Sequence, residues 1–120
     1  MLLTRFLDTI SKIVPGDPFA GREEAIARLN PEKIYLENVR SALGVSTWRA
    51  QEILDTAVRQ GVFQPFVEVV CPDGVAAASA KTESELPQTV HCWTEMADGN
   101  TAEAEIPTNE LPKVTFYRMK

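Results

Sequence analysis

IYLENVRSALGVSTWRAQEILDTAVRQGVF, residues 34–63, holds two amphipathic stretches joined by a short turn. Ile34, Tyr35, Val39, Ala42 and Leu43 share one face of a helix expected over 31–43. Asn30-Pro31 starts it, since Asn accepts a bond from a free cap amide and Pro suits the first helical position. Gly44 takes the left-handed position that ends it. Ser46 then caps a helix over 47–60, with Ala50, Ile53, Leu54, Ala57 and Val58 inward and Gly61 closing it. Small residues stand where two such helices cross, and a β-rich run begins at Val62.

Towards the N-terminus, GREEAIARL, 21–29, is a short helix with Ala25, Ile26 and Leu29 inward. MLLTRFLDTISKIV, 1–14, places Leu3, Phe6, Leu7, Ile10, Ile13 and Val14 at helical spacing, and Pro15-Gly16-Asp17-Pro18 ends it in a linker. Two roles stay open for this helix. It packs on the body of the protein, or it is an arm whose Leu3, Phe6, Leu7 and Ile10 dock a partner or a second copy. Thr4, Arg5 and Asp8 break its apolar run and no small-residue cleavage site follows, so mature structure is expected rather than a secretory leader.

Towards the C-terminus the pattern changes to short strands. FVEVV, 66–70, leads through Cys71 and the turn Pro72-Asp73-Gly74 into VAAAS, 75–79. Lys81 to Pro87 is a polar excursion with room for one helical turn. VHCW, 90–93, a turn over EMADGN, 95–100, and the alternating TAEAEI, 101–106, follow. KVTFYRM, 113–119, is the last strand. The class is α+β.

Helix, Leu-Gly-Val-Ser turn, helix and then β structure resembles a winged helix-turn-helix over 34–63. With a final strand like KVTFYR, residues 30–120 are similar to small bacterial accessory and regulatory proteins that join a winged helix to a zinc ribbon. In those, the β lobe opens with a Cys-Pro-x-Cys-Gly turn and carries a second Cys-x-x-Cys. The corresponding places here are Cys71, Gly74, Cys92 and Glu95. The resemblance implies an arm over 1–16, a helix-turn-helix part over 17–63 and an antiparallel, metal-free zinc-ribbon-like lobe over 64–120 that shares its core. It also raises a role in a bacterial defence or toxin-control operon.

Structural zinc takes four ligands, mostly thiolate or imidazole. Cys71, Cys92 and Glu95 supply three at best, and His91 faces away from its strand neighbour Cys92. No metal is expected. The two cysteines are expected as reduced, buried thiols, with a disulfide worth about 3 kcal/mol as the alternative. Phe66, Val70, Val75, Val90, Trp93, Ile106, Val114 and Phe116 are then expected to replace the metal by burial in a core shared with the helices, with no linker near Gly61.

The chain has 120 residues and a net charge of −5, and no apolar run approaches the ~20 residues of a membrane span. Residues 1–62 carry eight acidic and eight basic side chains, and 63–120 carry nine and four. An acidic half argues against a broad nucleic-acid footprint. The outward face of helix 47–60 offers Thr47, Trp48, Gln51, Glu52, Asp55 and Arg59, with Arg49 at its shoulder. Gln51 suits adenine and Arg49 suits guanine or phosphate, with Arg40 and Arg59 completing a basic surround, but Glu52 and Asp55 would stand near phosphates. Trp48 serves as a groove wedge, an interface anchor, or a partly buried filler beneath the wing.

Neither catalysis nor a cofactor is expected. His91, the one histidine, diverges from Cys92, and Gly16 and Gly21 lack the strand and spacing of a phosphate loop. Glu23-Glu24 and Glu103/Glu105 fall on solvent-facing positions. The expected function is an adaptor or regulatory subunit that binds a larger protein through the winged-helix face and the arm. The alternative is a DNA-binding transcriptional regulator acting as a homodimer. Two cysteines without a secretory pattern favour the cytoplasm.

Overall fold

The computed structural model describes residues 21–120; the expected helix over 1–14 and its Leu3, Phe6, Leu7 and Ile10 lie outside them. Three helices, α1 (Glu23–Ala27), α2 (Leu36–Leu43) and α3 (Thr47–Arg59), precede five strands. These are β1 (Phe63–Val70), β2 (Ala76–Ala80), β3 (Thr89–Glu95), β4 (Thr101–Pro107) and β5 (Lys113–Met119). One sheet has the order β2-β1-β5 and the other is the pair β3-β4, which makes the class α+β. The chain divides into a first unit that ends at Pro65 and takes back Phe116–Lys120, and a second unit, Phe66–Thr115. No described helix is long and apolar enough to cross a membrane.

In the first unit, α3 buries Ala50, Ile53, Leu54 and Ala57, the one-face spacing that the sequence shows. They meet Val39, Ala42 and Leu43 of α2, with Ile26, Ile34, Val62, Phe63 and Tyr117 completing the cluster. The turn between the two helices is residues 44–46. Gly44 sits at φ +64° and its N–H closes on the Arg40 carbonyl, as a left-handed helix end requires. Ser46 Oγ accepts the Arg49 N–H at 3.2 Å and caps α3.

One helix start differs from expectation. Residues 31–35 are not helical, and α2 begins at Leu36 with Tyr35 at its cap. Ile34 is instead a strand partner: its N–H donates to the Tyr117 carbonyl at 2.8 Å, and Tyr117 returns the bond at 2.7 Å. Asn30 uses its side chain on the Glu32 N–H, so it caps a turn and not the helix. The Asn38 side chain takes up the Tyr35 N–H at 2.9 Å.

In the second unit the two hairpin turns share one design. Gly74 N–H donates to the Cys71 carbonyl, Asp73 Oδ1 accepts the Val75 N–H, and Gly74 adopts φ +88°. Gly99 N–H donates to the Met96 carbonyl, Asp98 Oδ1 accepts the Asn100 N–H, and Gly99 adopts φ +85°. Each is a tight turn followed by a left-handed glycine, with aspartate bonding its own backbone two residues on. Pro65 lies in β1, where a central strand normally excludes proline. The β2 ladder covers only Val67–Val70, so Pro65 precedes the stretch that has β2 as a neighbour.

One burial expectation is corrected. Apolar side chains form one cluster in each unit, and that of the second unit is Val69, Cys71, Val90, Cys92 and Leu111. Of the residues expected to replace a metal by burial, Val90 and Phe116 are buried, while Val75, Trp93 and Val114 are exposed. Phe66, Val70 and Ile106 are half-buried. Strand parity explains Trp93: once Val90 and Cys92 turn inward, Trp93 must turn out.

Candidate functional site

The stripe that α3 buries leaves a second stripe facing outward. Trp48, Gln51, Glu52, Asp55 and Arg59 line a shallow depression of about 220 Å³ there. Trp48 is 70% exposed, which sets aside its space-filling role. The Arg49 guanidinium lies 5.7 Å from the centre of its ring, while Nη1 of the same arginine is 2.7 Å from Glu52 Oε1. Gln51 Nε2 donates to Asp55 Oδ1 at 2.8 Å and to the Tyr117 hydroxyl at 3.1 Å. Arg59 donates to Thr56 Oγ1 at 2.9 Å, and the Thr56 hydroxyl donates to the Glu52 carbonyl at 2.8 Å.

Six expected residues therefore come together: Trp48, Arg49, Gln51, Glu52, Asp55 and Arg59. Thr47 is exposed at the first position of α3, outside the depression. Arg40 stands on α2, where its Nε and Nη2 lie 3.0 and 2.8 Å from Glu37 Oε2. That hydrogen-bonded carboxylate pushes the arginine pKa above its ordinary value. Tyr117 is the member that sequence reasoning missed, because a hydroxyl from β5, 66 residues away, has no local signal. The face carries two arginines and two carboxylates, and Arg49 and Gln51 already spend donors on neighbours. Such a surface offers an aromatic anchor beside one ion pair, Arg49–Glu52, with Asp55 and Arg59 hydrogen-bonded to neutral side chains.

The expected zinc places are arranged differently from a metal site. Cys71 and Cys92 are joined by a disulfide, with their Cα atoms 5.6 Å apart, in place of the two reduced thiols. Bonded to each other, the sulfurs are not thiolate ligands. The reduced thiols expected from a reducing setting are therefore corrected to a bridged pair. Gly74 serves the β1–β2 turn, and Glu95 ends β3. Among the described residues, no group of three or more His, Cys, Asp or Glu stands ready to hold a metal ion.

His91 lies on the exposed side of β3, with Nδ1 2.9 Å from Glu103 Oε1, and Cys92 on the opposite side is bonded to Cys71. This leaves His91 no thiol to activate. A larger depression of about 530 Å³ in the second unit is lined by Glu83, Gln88, Thr108, Asn109 and Lys113, among others. Thr108 there is committed to the Pro87 carbonyl and Lys113 to Leu111 and Glu83. Glu68 of β1 is a buried carboxylate, 4% exposed, that the strand pattern gave no reason to expect.

No protein-family model, no curated protein and no solved structure matches this chain.

Proposed function

We propose that the chain is a non-enzymatic adaptor or regulatory subunit that binds a larger protein partner through the outward face of α3. In this reading α2, the turn at 44–46 and α3 act as a helix-turn-helix, with β1 and β2 as the hairpin that follows. The observation that carries it is the internal pairing around an exposed Trp48: Arg49 to Glu52, and Gln51 to Asp55 and Tyr117. A protein partner covers Trp48 and leaves these pairs intact. Reading DNA would require Arg49 and Gln51 to leave them, and would set Glu52 and Asp55 against phosphates.

Filter binding of random duplex DNA at low salt separates the two classes. The adaptor reading expects almost no retention, unchanged in Arg49→Ala. Salt-steep retention that weakens in Arg49→Ala and strengthens in Glu52→Gln would contradict it.

A further inference from the structure

Strand β3 alternates without a break. Val90 and Cys92 are buried and Thr94 half-buried, while Thr89, His91, Trp93 and Glu95 are exposed. The register with β4 pairs His91 with Glu105, Trp93 with Glu103 and Glu95 with Thr101. Glu103 and Glu105 are themselves exposed, so both stand on the face that holds Trp93. On this face His91 Nδ1 is 2.9 Å from Glu103 Oε1, and Thr89 Oγ1 donates to Glu105 Oε1 at 2.7 Å. The result is an indole, 58% exposed, flanked by Glu95, Glu103 and Glu105.

We propose that this sheet face docks an extended segment of a partner protein that carries arginine at alternate positions. The charge of the unit selects the occupant. Residues 66–115 hold nine carboxylates and two lysines. A nucleic acid, an anionic membrane or a second copy of the same unit would meet like charge, and a cationic segment would be drawn in. Arginine is favoured over lysine because its flat guanidinium stacks on an indole and grips carboxylates with two donors. An extended backbone is favoured because Glu103 and Glu105, two residues apart on one strand, stand about 7 Å apart. That is the interval at which an extended segment repeats its own side chains. This surface lies in the second unit and its test is independent of α3.

Fluorescence anisotropy of a dye-labelled Arg-Thr-Arg-Thr-Arg-Thr-Arg peptide, titrated with the full chain at low ionic strength, tests it. Saturable binding is expected, with none for the Glu-Thr counterpart. Trp93→Ala and the pair Glu103→Gln/Glu105→Gln should each weaken binding about tenfold, and Trp93→Tyr should recover most of the loss. Trp48→Ala and the pair Glu83→Gln/Glu85→Gln, which removes equal charge elsewhere in the unit, should stay within about twofold. All these positions are exposed, so thermal unfolding of the variants should match the parent. No saturable binding, an unaffected Trp93→Ala, or an equal loss from Glu83→Gln/Glu85→Gln would overturn the proposal.

Discussion

Gly74, which the sequence resemblance places where a zinc turn has its second cysteine, has a backbone that disfavours any side chain. At φ +88° it lies in the left-handed region, where a side chain is strained by about 1–2 kcal/mol. The turn thus closes through main-chain bonds and aspartate. Asp98 does the same for the β3–β4 turn: bonds from the Asn100 backbone, then from its side chain, hold the carboxyl below its ordinary 3.8. A lowered folded-state value means that the carboxylate's contribution is complete above pH 3.8 and is lost as pH falls below that through the folded value. Protection of the Asn100 amide, relative to its intrinsic exchange rate at each pH, should therefore fall below about pH 4, and Asp98→Ala should lack that protection at neutral pH too. Unchanged protection across that range would count against the role of Asp98. These turns are legible in the sequence because Asp73-Gly74 and Asp98-Gly99 act through bonds to residues two or three away. Trp93 was not, since a large apolar side chain suggests core until Cys92 is known to fix the strand's inward side.

α3 is the element the sequence describes best, from its Ser46 cap to the inward set Ala50, Ile53, Leu54 and Ala57. All of that information is local to the helix. Ser46→Ala should cost about 1 kcal/mol, because it leaves the Arg49 N–H without its partner. Thermal unfolding would measure this, and an unshifted midpoint would mean the cap is not formed. α2 was legible only in its second half. Asn30-Pro31 carries the composition of a helix start, yet Ile34 pairs with Tyr117, 83 residues later in the chain, and no local pattern could announce that pairing. The same limit hid Tyr117 from the α3 face while leaving its six other members readable.

Across the molecule, the second unit depends on a covalent link rather than on a large core. Two of the five residues in its buried cluster are the bridged cysteines, and the sulfurs tie positions 21 residues apart. Replacing both by alanine should destabilise this unit by about 3 kcal/mol. Hydrogen exchange would show protection lost in β3 and β4 and retained in α2 and α3; uniform loss would mean one cooperative body. Mass spectrometry without reductant should show the bridged form. The central claim, that α3 turns a protein-docking face outward, is tested most directly by a photo-crosslinking amino acid placed at position 48 in cells. One discrete protein adduct is predicted from position 48 and none from the exposed position 28 on the same unit. Crosslinks to nucleic acid at position 48, or the same adducts from both positions, would contradict it.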